Sequence, residues 1–375
     1  MSQDLSHDAS HPLSAASVYA PGSIALLLPL SGRAAAAGEA VRDGFLSAYF
    51  AVDPTQRPPL HIIDSSKNPA ASYQEAISQG ASVVVGPLTK EEVAAVAPLA
   101  NPRAITLALN VLPETSSAPA RFYQFALAPE DEARQVVERL LAEGKRSGAA
   151  LVPTGEWGRR VLDAFQAAFT SGGGQLVTTR TYAPGTTDYS SLIGDLVGFD
   201  DSRSRHKALV AALGTPLEFT PRRKEAVGFL FLAAQPVAGR LIRPQLKYHY
   251  AGELPVYALS DLYEPSPNAN QDLDGVIFAD MPWMLSEEAA ITGAREDSQT
   301  LWSESTRRRS RLYALGADAF VLIGELKSPE TFRDSVRGLT GRLSLDGSGR
   351  VHRVLDWAQI QPDGTIKPLP ATGSP

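Results

Sequence analysis

Cysteine is missing from all 375 residues. Its absence removes disulfides, thiolate metal sites and a cysteine nucleophile together, while leaving the compartment open. Long apolar runs are missing too. The most extended one, near Ala226 to Ala234, falls well short of the roughly 20 residues a membrane-crossing helix needs. An excess of positive charge is also absent: 35 Lys and Arg stand against 41 Asp and Glu, a net charge of -6. A nucleic-acid partner would require a basic face, so that class is excluded. The opening stretch MSQDLSHDASHPLSAASVYA holds neither a hydrophobic signal segment nor a lipid-acceptor cysteine. Residues 1–21 are read as a polar linker or chain end.

Catalytic constellations are equally scarce. The histidines are His7, His11, His61, His206, His249 and His352, with no HExxH and no pair spaced for one helix face, so no metal site is expected. There is no GxxxxGK[ST] phosphate loop and no GxSxG elbow. Gly172–Gly174 reads as a helix stop and Gly347–Gly349 as a turn. One SxxK match, Ser204 to Lys207, lies in a charged segment without a KTG partner, and a solvated helix start accounts for it. The acid pairs Glu91–Glu92, Asp200–Asp201 and Glu287–Glu288 stand in polar surroundings, whereas an acid–base pair needs environments that separate its pKa values. The basic runs Arg222–Lys224 and Arg307–Arg309 read as solvated faces that could meet an acidic partner. No catalytic residue, metal or cofactor is expected.

What the chain does hold is alternation of strand and helix patterns, with 43% hydrophobic residues to build cores. Its length suggests two lobes. Ile24 to Leu28 is a short aliphatic run closed by Pro29, as for a strand buried on both faces. Val41, Phe45, Ala48, Tyr49 and Val52 then share a helical face. His61–Ile63, Val83–Val85 and Ile105–Leu107 are further strands, and the series implies a parallel sheet with right-handed crossovers.

The pattern restarts near Phe125. Ala133, Val136, Val137, Leu140 and Leu141 form an apolar stripe behind Glu130, Asp131 and Glu132, which sit at the positive end of the helix dipole. A strand at Ala149–Val152 leads to a helix carrying Trp157, Val161, Phe165 and Phe169. Later strands are expected at Leu176–Tyr182, Val227–Ala233, Val256–Leu259 and Val276–Phe278. Two alternating stretches around Asp346–Gly349, within Leu343 to Ile360, predict a hairpin. Two doubly wound units could be tandem domains or lobes that exchange elements. The restart near Phe125, the strand exit at Met281–Pro282 and the helix from Arg311 to Leu326, which has no sheet of its own, favour exchange.

Several blocks carry a family resemblance: IALLLPLSG at Ile24–Gly32, VVGPLTKEEV at Val84–Val93, LALN at Leu107–Asn110, LIRPQLKYHYAGELPVYALS at Leu241–Ser260, the stretch ending ADMPW at Trp283, RLYALGADAF at Arg311–Phe320, and LDGSGRVHRVLDWAQI at Leu345–Ile360. In this order, from about Ser23 to Lys367, the chain resembles the C-terminal domain of the penicillin-binding protein activator lipoproteins of LpoA type. The resemblance implies an α/β fold like the type 1 periplasmic binding proteins, with two doubly wound, Rossmann-like lobes and three crossovers. These are placed near Ala126–Pro129, Asp280–Trp283 and Ser328–Gly341. The first lobe would comprise 22–126 plus 283–328, the second 127–282 plus 338–370, with a tail at 371–375. Pro282 would fix the backbone at a crossover, and Trp283 would seal the lobe junction.

The function so implied is that of a non-catalytic periplasmic regulator. It would bind a class A penicillin-binding protein and stimulate peptidoglycan synthesis and cross-linking, reaching the membrane only through a lipid anchor absent from this chain, at the outer membrane's inner leaflet. The alternative is a receptor for a small polar ligand such as an amino acid or peptide. Open α/β sheets place ligands beyond strand C-terminal ends, and the crevice lining is expected from Ser31, Pro87, Thr89, Asn110, Thr154, Trp157, Ser260 and Asp261. Amino-acid-binding relatives carry a small hydroxyl residue in the loop after a Gly-Pro strand end. Here that loop reads Gly86-Pro87-Leu88-Thr89-Lys90, so amino-acid capture is the weaker expectation.

Overall fold

The computed structural model describes residues 22–371 except 114, 216–217, 219–223, 303–308, 330–331 and 333–334. The polar start with His7 and His11, Arg222, Arg223, Arg307 and Arg308 of the basic runs, and all but the first residue of the 371–375 tail lie outside the described residues. So do the side chains of Asp200 and Asp201. No helix among the described residues is long and apolar enough to cross a membrane.

In chain order the strands are β1 (Ser23–Leu28), β2 (Leu60–Asp64), β3 (Ala81–Val85), β4 (Ile105–Ala108), β5 (Phe122–Phe125), β6 (Ser147–Pro153), β7 (Gln175–Tyr182) and β8 (Leu230–Leu232). There follow β9 (Val256–Ala258), β10 (Ile277–Asp280), β11 (Val336–Arg337), β12 (Arg342–Leu345), β13 (Arg350–Val354), β14 (Asp356–Ile360) and β15 (Ile366–Leu369). They build two sheets in two compact units, and the chain passes between the units after Ala128, Asp280 and Leu355.

The first unit holds the sheet β11-β12-β13-β5-β4-β3-β1-β2. From β13 to β2 all neighbours are parallel, and β11 and β12 add an antiparallel edge. β1 lies between β3 and the edge strand β2 and is aliphatic because a parallel strand has helices over both faces, and Leu26, Leu27 and Leu28 are fully buried. The helix Ala35–Ala51 buries Val41, Phe45 and Ala48 against the helix Ser310–Glu325, where Phe45 and Tyr49 both meet Phe320 edge-on. The second unit holds β15-β14-β10-β9-β8-β6-β7, parallel from β10 to β7 and antiparallel at β14 and β15. Its core is aromatic: Phe165 stacks on Phe231 at 4.0 Å, and Phe169 meets Phe229 edge-on.

Two assignments differ from the sequence reading. Residues Leu343 to Ile360 are not one hairpin. β12 and β13 form the hairpin around Asp346–Gly349, while β14 pairs antiparallel with β10 in the other sheet. Consequently 338–355 belong to the first unit, and the third passage falls after Leu355 rather than within Ser328–Gly341. The physical reason is that β13 lies parallel to β5, pairing Val351 with Phe125. In addition, the Arg353 guanidinium donates to the Ala126 carbonyl at 3.1 Å. Both hold the hairpin on the first sheet. β5 itself, the helix Ala289–Leu301 and β15 had no sequence signal that was recognised.

Candidate functional site

Parallel sheets gather loops at the C-terminal ends of their strands, and the residues singled out above sit there, half of them in each unit. In the first unit the loop after β1 is tied down by the end of β2. The Asp64 carboxylate accepts the Leu30 N–H and the Ser66 N–H, both at 2.9 Å, and the Ser66 hydroxyl at 2.5 Å. The Ser31 N–H donates to the Ser66 Oγ at 3.1 Å. Slight burial works against this carboxylate, but the hydrogen bonds from Ser66, Leu30 and Ser31 hold it well below the usual carboxylate range. Ser31 is exposed, yet its loop is rigidly braced.

After β3 the backbone turns through Gly86, at φ +106°, into a cis peptide at Pro87. A Cβ on Gly86 would lie 1.9 Å from the Leu27 carbonyl oxygen, so this position requires glycine. Pro87 is buried. Thr89 caps the helix Lys90–Val96 in a reciprocal box: its hydroxyl accepts the Glu92 N–H at 3.3 Å while the Glu92 carboxylate accepts the Thr89 N–H at 3.0 Å. Ser65 donates to the other oxygen of Glu92 at 2.6 Å. Asn110, after β4, donates from Nδ2 to the Leu88 carbonyl and accepts the Val111 N–H, both at 3.0 Å. Pro87, Thr89 and Asn110 thus converge on one loop, and their polar atoms stiffen it.

In the second unit Thr154 follows β6, exposed, with its N–H donated to the Tyr182 carbonyl at 2.7 Å. Trp157 is half-buried on the first turn of the helix Glu156–Ser171. Ser260 is different. It is buried, and both its N–H and its hydroxyl donate to the Glu132 carboxylate, at 3.1 and 2.8 Å. Glu132 belongs to the acidic first turn of the helix Pro129–Ala142, where the helix dipole favours it, and here it also fastens the loop after β9. Asp261 stands half-buried in the turn Ser260–Leu262. The Ser204–Lys207 match lies on the helix Phe199–Leu213 with Ser204 and Lys207 exposed.

Pro282 opens a single helical turn, Pro282–Leu285, and Trp283 is fully buried within the first unit. Its ring stacks on Tyr313 at 5.3 Å, its indole N–H donates to the Ser310 hydroxyl at 2.6 Å, and its backbone N–H donates to the Leu339 carbonyl at 2.9 Å. Sequence reasoning missed the polar knot beside it. Asp318, in the middle of the helix Ser310–Glu325, accepts the Leu339 N–H at 2.8 Å, the Thr340 N–H at 2.7 Å and the Thr340 hydroxyl at 2.5 Å. The signal was an acid inside an apolar helical stripe. Among the described residues no group of three His, Asp or Glu side chains converges as metal ligands.

This architecture is shared with known proteins. The model of the LppC lipoprotein family matches residues 9–363. The chain belongs to the LppC family. A penicillin-binding protein activator LpoA from Photobacterium profundum is 30% identical over 349 residues, covering 91% of this chain and 56% of that protein. The same-named protein of Vibrio antiquarius is 30% identical over 95% of this chain and 62% of its own length. This LppC-family chain therefore spans little more than half the length of these relatives. Among solved structures, the LpoA C-domain from Haemophilus influenzae, described as a regulator of PBP1A, superposes with a TM-score of 0.71 at 25% identity, covering 92% of this chain and 99% of that one. The fold of this LppC-family member is thus that of two doubly wound lobes in the manner of the type 1 periplasmic binding proteins.

Proposed function

We propose that this chain is a non-catalytic periplasmic regulator that binds a class A penicillin-binding protein and stimulates peptidoglycan synthesis and cross-linking. On this reading the full-length lipoprotein holds it to the inner leaflet of the outer membrane. The observation that carries the reading is the coverage of the match to the LpoA C-domain: 99% of that regulator's domain is accounted for. The loop chemistry supports it. The polar atoms of Thr89, Asn110 and Ser260 serve as a helix cap, a loop brace and a strut, and a rigid scaffold for a partner needs no open ligand-coordinating groups at those positions.

Calorimetry of the chain against the periplasmic part of its own organism's class A penicillin-binding protein tests the proposal, followed by a lipid II cross-linking assay. Dissociation constants of about 1 μM or tighter together with increased cross-linking are expected. Absence of binding, combined with a melting shift of several degrees on adding an amino acid or short peptide, would replace the regulator by a small-ligand receptor.

A further inference from the structure

The first unit carries a concave site at the N-terminal ends of its parallel strands, the opposite end from Pro87, Thr89 and Asn110. β5 and β13 run parallel, and the loop leading into β5 faces the turn leading into β13, with Pro329 completing the wall. The cavity has a volume of about 680 Å³, within the range that holds a small organic molecule. Its walls are mostly uncharged, with Pro119, Pro329 and the half-buried ring of Tyr123 among them.

Arg121 stands apart in this lining. Its backbone is held at φ +57°, a conformation that is uncommon for a residue with a long side chain and costs on the order of 1–3 kcal/mol. The strain is imposed from both sides. The Arg121 carbonyl accepts the Thr106 N–H at 2.9 Å, and the Phe122 N–H closes a turn onto the Pro119 carbonyl at 3.1 Å. The guanidinium is exposed and makes no ion pair or side-chain hydrogen bond with the described residues. The acid in the same lining, Asp346, is oriented by other groups. Asp346 is already engaged by the Ser348 N–H and hydroxyl, the Arg350 N–H and the His352 ring, at 2.7 to 2.9 Å. The lining therefore holds one fork-shaped cation without a side-chain partner among the described residues, beside an apolar and aromatic wall.

We propose that this cavity binds an organic carboxylate with an apolar body, its acid end on the Arg121 guanidinium and its body against Pro119, Pro329 and the Tyr123 ring. The guanidinium geometry matches a carboxylate through two parallel hydrogen bonds, and the apolar wall supplies the remaining contact area. The site lies wholly within the first unit.

The test is a backbone-amide NMR titration with N-acetyl-L-phenylalanine, in parallel with its uncharged amide, N-acetyl-L-phenylalaninamide. Saturable shifts confined to Arg121–Tyr123 and Gly347–Gly349 are expected with the acid, at least about tenfold weaker with the amide, and weakened to the same extent in Arg121→Gln. Because the acid and the amide are compared on the unaltered chain, the result does not depend on how the variant folds. Equal affinity for acid and amide, or no shift at these amides up to about 20 mM of the acid, would overturn the proposal.

Discussion

Asp318 occupies the middle of an otherwise apolar helix and is almost entirely buried. Burial pushes its carboxyl up to about 6, while the Thr340 and Leu339 donors and the nearby Arg353 guanidinium pull the other way. Three donors converge on its two oxygens, so Asp318→Asn would aim an amide N–H at groups that are themselves donors. A loss of about 2–4 kcal/mol at neutral pH is expected from buried groups left unsatisfied, read as the shift in denaturant midpoint. The pH dependence follows from the direction of the shift. The folded chain retains a proton above the ordinary value of 3.8, so this group's contribution is complete below that value and is lost as pH rises through about 6. The stability margin of wild type over Asp318→Asn should therefore narrow between about pH 4 and pH 8. A margin that widens instead would mean that the donors outweigh the desolvation. At this scale the sequence showed residue types but not their partners. The hydroxyl and amide groups of Ser31, Thr89, Asn110 and Ser260 stood out in turn-forming loops, yet Glu132 reaches Ser260 across 128 positions of chain. Nothing local signals such a pairing.

The elements were more legible, because periodicity reports burial directly. Val41, Phe45 and Ala48 share a helical face and are all buried, as are Val161, Phe165 and Phe169 on theirs. What periodicity omits is how closely two helices approach. The helices Ala35–Ala51 and Ser310–Glu325 cross through glycines: a Cβ on Gly316 would sit 2.0 Å from the Val41 carbonyl oxygen, and one on Gly44 would sit 1.8 Å from that of Tyr313. Both obstacles are backbone, which cannot rotate away. Gly316→Ala gains about 1 kcal/mol of helix propensity, but overpacking a core typically costs about 1–3 kcal/mol and costs more when whole helices must part. A net destabilisation of about 2 kcal/mol is expected, seen as a lower melting temperature. Gly293, inside the helix Ala289–Leu301, has nothing within 4 Å of its Cβ position. Gly293→Ala should therefore stabilise by about 0.5–1 kcal/mol, and the opposite signs of the two variants isolate the close crossing from any general effect of alanine.

At the scale of the whole molecule, the chain closes each sheet with strands from far along the sequence, and this is where the sequence reading went astray. A hairpin signal identifies two strands that pair with each other but says nothing about which sheet they extend, so β12–β13 were assigned to the wrong unit. The exchange has a testable consequence. β14 covers β10 through four paired positions, from Ile277 with Gln359 to Asp280 with Asp356, and β15 pairs in turn with β14. Trp357 also lies under the Arg139 guanidinium at 4.9 Å, while Arg139 donates to the Pro370 carbonyl at 2.8 Å. Ending the chain after Leu355 would leave every strand of the first sheet in place but strip two from the second. It would leave β10 as an unprotected edge, with Phe278 uncovered beside it. Hydrogen exchange should then show protection lost in Ile277–Asp280 and in the helix Pro129–Ala142, while β1 and β3 keep theirs. Equal loss across both sheets would mean that the two units fold as a single cooperative body, and retention in β10 would mean that the last two strands contribute nothing to its stability.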